Sequence, residues 1–202
     1  MEFKKIQLNG FKSFAEKADF LIEDGLTGIV GPNGCGKSNI VESLRWAMGE
    51  TSAKSMRGSG MEDVIFSGTS NKASKNIAEV TIEVENKDKE GPIQYREHDQ
   101  VQIKRKIEKD KGSKFYINGK EVRARDAQMF FADLSTGAHS PSMISQGRIG
   151  ALVTAKPTDR RAILEEAAGI SGLHVRRHEA ELRLGAAENN LKRADELRRQ
   201  QE

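Results

Sequence analysis

Residues 31–38 are Gly31-Pro32-Asn33-Gly34-Cys35-Gly36-Lys37-Ser38, which match the phosphate-binding template G-x-x-x-x-G-K-[ST]. An apolar run of β type at residues 26–30 precedes them, and a helical pattern of apolar residues follows to about Gly49. A strand that leads into a glycine-rich loop and a helix directs several backbone N–H groups to one point beside the positive end of the helix dipole. The stretch therefore predicts a site for ATP or GTP.

Each part of this loop has a chemical role. Glycines let the backbone close around an anion, the Lys37 ammonium can reach the β and γ phosphates, and the Ser38 hydroxyl can bind Mg²⁺. The alternative interpretation, a glycine-rich turn without a ligand, is disfavoured by the strand and helix on either side. The predicted nucleotide-binding residues are Gly31, Pro32, Asn33, Gly34, Cys35, Gly36, Lys37, Ser38 and Asn39.

Size and composition allow one globular core with an exposed appendage. The chain has 202 residues, of which 36% are hydrophobic and 31% are charged, and its net charge of +3 is only weak support for nucleic-acid binding. Its single cysteine, Cys35, excludes an intrachain disulfide and favours a reducing compartment. The sequence shows neither a signal peptide nor a run of 18 apolar residues, so we expect a cytoplasmic protein without a membrane span.

Apolar periodicity and turn residues predict an α/β fold. We expect strands at residues 3–8, 18–22 and 26–30, the phosphate loop and its helix, and then a polar loop around a short buried segment at residues 61–66. Further strands at residues 78–84, 93–95, 101–107 and 114–117 are typical of an antiparallel meander inserted after the nucleotide loop. Helices are expected at residues 120–134 and from 157 to about Gly169, with a short strand or turn between them at residues 144–147.

The C-terminal segment has a different pattern. Apolar residues spaced 4-3-4-3 form a narrow stripe on one helix face, which is typical of a coiled coil: Ala180, Leu184, Ala187, Leu191 and Ala194. The stripe continues toward Glu202, so we expect a longer coiled coil of which this is the start. A solvated helix docked on its own domain is the alternative. The sequence therefore predicts two units, a globular lobe at residues 1–172 and the start of a coiled-coil arm at residues 173–202.

Five stretches together resemble the N-terminal head lobe of SMC (structural maintenance of chromosomes) proteins, in particular those of bacterial chromosome partition. The likeness covers nearly the whole chain, and the pairing of the phosphate loop with the Glu-Glu-Ala-Ala-Gly-Ile segment is far more specific than the loop alone. The stretches are Gly10-Phe11-Lys12-Ser13-Phe14, the loop from Gly31 to Asn39, Arg57-Gly58-Ser59-Gly60-Met61-Glu62-Asp63-Val64-Ile65-Phe66, Ser145-Gln146-Gly147 and Arg161-Ala162-Ile163-Leu164-Glu165-Glu166-Ala167-Ala168-Gly169-Ile170.

This resemblance implies one lobe of an ABC-type P-loop ATPase head and the root of its coiled coil. The implied cofactors are ATP and Mg²⁺. The implied partners are the C-terminal lobe of the head, a second SMC protomer, a kleisin subunit, and double-stranded DNA bound without sequence specificity. ATP between two heads would join them and its hydrolysis would release them, in chromosome condensation and segregation at the nucleoid.

The resemblance also implies roles for residues outside the loop. Gln146 matches a glutamine that contacts Mg²⁺ and the attacking water, and Arg57 matches an arginine that reaches the nucleotide phosphates in cis. Lys12 and Ser13 match positions near the nucleotide. On sequence alone, Arg57 would be a solvated loop charge and Gln146 an exposed turn residue.

Basic residues on the meander suggest a DNA-binding surface. Arg123 and Arg125 match basic positions on the head surface that faces DNA, and Lys104, Arg105 and Lys106 would extend this patch. Such contacts go to phosphates, so they are salt-sensitive and largely independent of sequence. Without the resemblance, solvated charge on a meander would be the better interpretation.

The acidic motif that this class needs for hydrolysis is missing. An apolar strand ending in Asp-Glu should help to hold Mg²⁺ and polarise water. Residues 129–133 end in Asp133 but have a helical pattern, with Leu134 at the glutamate position, so Asp133 is predicted to be structural. Residues 134–137, Leu-Ser-Thr-Gly, imitate an ABC signature but precede Gln146 instead of following it. We expect negligible hydrolysis by this chain alone.

Other interpretations stay open at this point. The chain could be a DNA-repair ATPase with a similar head-and-coil plan, or a non-catalytic module whose exposed helix binds a kleisin. His174 and His178 have a spacing that can hold a metal, but no third ligand is evident, so solvated residues are the better interpretation.

Overall fold

An antiparallel sheet is the centre of this computed structural model, which describes residues 1–87, 89, 92–134, 153–168 and 171–201. Its strands are β1 (Glu2–Asn9), β2 (Ala18–Leu21), β3 (Ile77–Glu85), β4 (Gln100–Glu108), β5 (Gly112–Ile117) and β6 (Lys120–Val122). Neighbouring strands follow the order β2-β1-β3-β4-β5-β6. The helices are α1 (Lys37–Ala47), α2 (Ala124–Asp133), α3 (Pro157–Ala167) and α4 (Ser171–Gln201).

One face of the sheet is apolar because side chains alternate along each strand. In the β3–β4 pair, Ile82 lies opposite Ile103 and Val84 opposite Val101, and all four side chains are buried. Helix α1 packs over this face through Trp46, whose ring lies 5.4 Å from that of Phe11. Phe130 and Phe131 of α2 complete the core, so the helix that begins at the phosphate loop is anchored in the middle of the domain.

Most predicted strands are confirmed, and the segment at residues 61–66 is buried as expected. This segment reaches the turn after β1 through backbone hydrogen bonds from Lys12 N to Val64 O at 2.7 Å and from Phe66 N to Gly10 O at 2.8 Å. Two loops that lie far apart in the chain are thereby held together. Their contact decides which side chains surround the phosphate loop.

Two predicted elements are wrong in detail. Residues 93–95 form a short 3₁₀ turn (Ile93–Tyr95) instead of a strand, because the buried Asn86 amide donates to carbonyls of the following segment, including Arg96 O and His98 O, each at 3.1 Å. The helix predicted from residue 120 begins at Ala124, because Asn118 and Gly119 both take positive φ and form a tight hairpin turn that makes Lys120–Val122 a strand.

The predicted strand at residues 26–30 is also wrong within the described structure. No described strand pairs with this segment, and Leu26 and Val30 are 99% and 94% exposed. An apolar β-type run becomes a strand only when a neighbouring strand satisfies its backbone groups and covers its side chains. The segment that enters the phosphate loop is therefore an exposed apolar edge.

Arg105 belongs to the core and does not extend a surface basic patch, which corrects the sequence prediction. It lies opposite Val80 on the apolar face of β4, whereas Lys104 and Lys106 point to the other face. Its guanidinium lies between the rings of Trp46 and Phe115, at 4.5 and 4.7 Å. Burial lowers the pKa of Arg105 to about 10, so the group remains a cation at neutral pH.

Backbone carbonyls compensate this buried charge. Arg105 Nη1 donates to Trp46 O in the last turn of α1 and to Glu50 O just beyond the end of the helix, both at 2.7 Å. Carbonyls at this end of a helix lack intrahelical partners and carry the negative end of its dipole, so a buried cation suits them. The arginine thus ties β4 to the end of α1.

The C-terminal segment is helical, as predicted. Helix α4 has 31 residues, and Leu184 and Leu191 of its apolar stripe are 63% and 65% exposed. Its pairing as a coiled coil, and the division at residue 172, remain predictions. Among the described residues, no helix is long and apolar enough to cross a bilayer.

We predict that Arg105→Lys lowers the free energy of unfolding by about 2 kcal/mol, because an ammonium cannot stack between two rings while donating to both carbonyls. Urea denaturation followed by circular dichroism measures this change. Lys104→Arg, on the opposite face of the same strand, is the matched control and should stay within about 0.5 kcal/mol of the unchanged chain. Equal effects of the two substitutions would contradict the core assignment of Arg105.

Candidate nucleotide-binding site

The backbone of the phosphate loop takes a shape that requires glycine. Gly34 and Gly36 have φ of +84° and +96°, in the left-handed region that L side chains rarely adopt. A Cβ on Gly36 would also lie 2.5 Å from Ser13 Oγ, closer than any side chain tolerates. The loop therefore owes its shape to these glycines and to its contact with the turn after β1.

The loop opens directly into the N-terminus of α1. Gly36 precedes the first helical residue, Lys37, and provides no side-chain cap, and the first turn of α1 holds no acidic residue. The first N–H groups of a helix have no intrahelical acceptors and lie at the positive end of its dipole. These groups can donate hydrogen bonds to the oxygens of a phosphate.

Lys37 closes the loop from one side to the other. Its ammonium donates to Gly31 O and Pro32 O, both at 2.6 Å, and lies 3.7 Å from Cys35 Sγ. A phosphate in the loop would offer charged acceptors in exchange for these two neutral carbonyls, and charge-assisted hydrogen bonds are the stronger ones. The lysine is therefore already placed for an anion in the loop.

A polar network brings the other predicted residues to the same place. Asn39 Nδ2 donates to Ser13 Oγ at 2.9 Å, and Arg57 Nη2 donates to Asn39 Oδ1 at 2.9 Å. Arg57 Nε and Lys12 Nζ both form ion pairs with the carboxylate of Glu42. Lys12, Ser13, Asn39 and Arg57 thus belong to one polar network beside the start of α1, and their contact with a nucleotide remains a prediction.

Glu42 is the member of this network that sequence reasoning missed. Its side chain is only 11% exposed, although a glutamate in the middle of a helix is usually solvated. The available signal was the charge balance of the site: three predicted cations, Lys12, Lys37 and Arg57, had no predicted counter-charge. A buried acid near them could have been expected on that ground.

The loop that carries Arg57 has its own internal support. Asp63 Oδ2 accepts from Ser59 N at 2.6 Å, from Ser59 Oγ at 2.8 Å and from Gly60 N at 2.9 Å. These hydrogen bonds hold the pKa of Asp63 below its usual range. The hydrogen bond from Gly60 N has the largest effect. Arg57 itself has φ of +53°, so its backbone is held in a left-handed conformation by the loop around it.

A bound Mg²⁺ would have few protein ligands in this region. Ser38 lies exposed in the first turn of α1, next to the loop, which fits its predicted role. Among the described residues, no group of three or more His, Cys, Asp or Glu side chains could hold a metal. Gln146, the other predicted Mg²⁺ contact, lies outside the described residues.

Three further sequence predictions can be placed. Asp133 is the last residue of α2, so it does not end a catalytic strand, in agreement with its structural interpretation. Most of the signature-like segment at residues 134–137 lies outside the described residues. His174 and His178 belong to α4, but their side chains lie outside the described part of the chain.

Arg123 and Arg125 lie at the start of α2 and are exposed. Arg123 Nε and Nη2 donate to the Asp126 carboxylate at 3.1 and 3.3 Å, which holds the pKa of Asp126 below its usual range. The Arg123 side chain is nevertheless 82% exposed. Part of its charge is compensated locally, and a phosphate would have to compete with Asp126.

Comparisons with known proteins identify the family of this chain. The family model of the RecF/RecN/SMC N-terminal domain matches residues 2–148. Chromosome partition protein Smc from Rhodopseudomonas palustris is 56% identical over 197 residues, which are 98% of this chain and 17% of that protein. The chain therefore spans about one sixth of the length of the curated relatives it matches, 17% in this case.

Solved structures of SMC heads share the fold. An Smc head domain with an extended coiled coil, bound to the C-terminal domain of ScpA and derived from Pyrococcus furiosus, superposes with a TM-score of 0.77 at 32% identity, covering 97% of this chain and 49% of that one. A structure from work on ATP-driven dimerization and DNA-stimulated activation of SMC ATPases superposes with a TM-score of 0.70 at 32% identity, covering 83% and 99%.

We predict that Lys37→Ala lowers the affinity for MgATP by about a hundredfold, because a neutral side chain cannot form charge-assisted hydrogen bonds to the phosphates. Titration with a fluorescent ATP analogue measures the affinity. Lys17→Ala, which removes an exposed lysine between β1 and β2, is the control and should bind as the unchanged chain does. Unchanged binding by Lys37→Ala would refute the assignment of the loop.

Proposed function

The chain belongs to the RecF/RecN/SMC N-terminal domain family, and from this premise we propose that it forms the ATP-binding lobe of the ATPase head of a chromosome-partition SMC protein. The observation that carries the proposal is the glycine-rich loop at the start of α1, with Lys37 spanning it. The 56% identity to a chromosome partition protein supports this function over the DNA-repair alternative.

In this proposal the chain binds and orients the triphosphate. Backbone N–H groups of the loop and of the first turn of α1 donate hydrogen bonds to phosphate oxygens. Lys37 neutralises negative charge on the β and γ phosphates. Arg57, held beside Asn39, contacts the phosphates from the opposite loop. Mg²⁺, bound by the Ser38 hydroxyl and phosphate oxygens, would supply further neutralisation of the charge that develops during in-line attack by water. Gln146 is proposed to contact that water.

Hydrolysis is proposed to require the C-terminal lobe of the head. The sequence contains no apolar strand that ends in Asp-Glu, and the exposed apolar segment at residues 26–30 lies next to the phosphate loop. A strand of the C-terminal lobe that paired with this segment would cover it and could bring the acidic motif to the γ phosphate. The same docking would turn a binding lobe into an ATPase.

Similar structures support the proposal of further partners. One similar structure comes from work on ATP-driven dimerization, and another is bound to a domain of ScpA. We propose that this chain likewise engages a second SMC protomer through bound ATP, binds a kleisin subunit, and begins its coiled-coil arm at α4. Engagement of this kind requires that ATP bind the joined heads more tightly than the separate ones.

DNA is the proposed substrate on which the ATP-dependent engagement and release of the heads acts, in the cytoplasm and at the nucleoid. Arg123 and Arg125 at the start of α2 would contact its phosphates, with Lys104 and Lys106 on the outer face of the sheet. Support comes from the exposure of both arginines and from the DNA-stimulated SMC ATPases to which the fold is similar.

We predict that addition of the C-terminal lobe raises ATP turnover by about two orders of magnitude or more, because it supplies the missing acid. Phosphate release measures turnover. Addition of the C-terminal lobe to the Lys37→Ala variant is the control and should not raise ATP turnover. Brisk hydrolysis by the present chain alone would overturn the proposed division of labour.

We predict that Arg123→Glu combined with Arg125→Glu weakens binding to duplex DNA at low salt and reduces the slope of log affinity against log salt by about 2, because two phosphate contacts are lost. Fluorescence anisotropy across a salt series measures both. Lys17→Glu combined with Lys72→Glu is the control: it changes the net charge equally near the start of β2, where Lys72 binds Glu16 at 2.8 Å, and should have a smaller effect. An identical salt dependence for both pairs would exclude a specific arginine surface.

A further inference from the structure

Glu42 occupies an unusual position in α1. It lies five residues after Lys37 and three after Asn39, so Asn39 and Glu42 share one face of the helix that carries the phosphate loop. Its carboxylate is mostly buried, with 11% of the side chain exposed, and each of its two oxygens binds a different cation. Oε1 binds Arg57 and Oε2 binds Lys12.

The contact with Arg57 is one of two that hold the guanidinium. Arg57 Nε binds Glu42, while Nη2 donates to Asn39 Oδ1 at 2.9 Å. Two contacts to different atoms of a planar group fix both its position and its orientation. The side chain remains 58% exposed, so these contacts orient Arg57 without enclosing it.

Lys12 provides the other half of the arrangement. Its side chain is only 13% exposed, and its ammonium binds both Glu42 and the carbonyl of Met56, the residue before Arg57. The lysine therefore holds the carboxylate in place and also fixes the backbone from which Arg57 extends. Removing the carboxylate would leave two neighbouring cations without their shared counter-charge.

We propose that Glu42 is a positioning residue that orients Arg57 toward the phosphates of a nucleotide in the loop. This inference rests on the proposed function, because it assumes that Arg57 contacts those phosphates. Glu42 itself touches no phosphate. It acts through Arg57, and Lys12 keeps its carboxylate at the required place.

The test is a double-mutant cycle on MgATP affinity, measured with a fluorescent ATP analogue on the whole chain. Glu42→Gln keeps the shape of the side chain but removes its charge, and Arg57→Ala removes the group that it orients. We expect each single variant to bind MgATP about tenfold more weakly, and the double variant to bind no more weakly than Arg57→Ala. A residue with a merely structural role would give losses that add.

A second variant covers a failure of Glu42→Gln to fold, which circular dichroism melting detects. Glu42→Asp keeps the negative charge but is one methylene shorter, so it cannot reach both Arg57 and Lys12. We expect an intermediate loss of affinity that disappears in the Arg57→Ala background. Glu50→Gln, just beyond the C-terminal end of α1, is the control. It removes a buried acid that binds Arg45 at 2.9 Å and should leave the affinity for MgATP unchanged.

The outcomes separate the two proposals. If Arg57→Ala binds MgATP normally, Arg57 has no role at the phosphates, and both its proposed role and this inference fail. If Arg57→Ala weakens binding but the Glu42 losses add to it, only the positioning role of Glu42 fails. Tighter binding by Glu42→Gln would mean that the carboxylate withholds Arg57 from the nucleotide, which would also overturn the inference.

Discussion

The start of α1 is the constraint on which the rest of the structure depends. Gly36 holds a left-handed conformation against Ser13, and the helix begins at the next residue. This places the ammonium of Lys37, the N–H groups of the first turn and the positive end of the dipole around one small volume. An L residue at position 36 would meet both a strained φ and the Ser13 hydroxyl, so the direction of the helix and the shape of the anion site are fixed together.

Helix α1 also joins the site to the core. Its N-terminal half carries Asn39 and Glu42, which hold Arg57, whereas its C-terminal half carries Trp46, which packs on the sheet. Arg105 of β4 donates to one carbonyl in the last turn of the helix and to another just beyond it. Because the core is close-packed, a helix held at both ends cannot shift without disturbing either the sheet or the Arg57 network. The placement of the groups around the phosphate loop is therefore a consequence of ordinary core packing.

Local sequence signals predicted the parts of the fold that local physics decides. The phosphate loop, β1, the alternating strands β3 and β4, and the helix after the loop all carry strong local signals in apolar periodicity and glycine placement, and these signals were sufficient to predict them. Contacts across long sequence separations were not predictable in this way. The sequence places Arg105 at the surface because charged side chains are usually exposed. In the structure its burial is compensated by stacking between two rings and by hydrogen bonds to two carbonyls. Glu42 was missed because both of its cations are distant in sequence. Lys12 lies 30 residues before it, and Arg57 lies 15 residues after it.

The wrong prediction at residues 26–30 has a different physical origin. The composition of this segment favours a strand, but a strand needs a partner, and the sheet formed by the described residues leaves the segment unpaired with Val30 94% exposed. Val30 directly precedes Gly31, whose carbonyl accepts a hydrogen bond from Lys37. A strand added beside Val30 would fix the direction in which the chain enters the phosphate loop. Covering the apolar edge and ordering the entry to the candidate anion site would then be a single event.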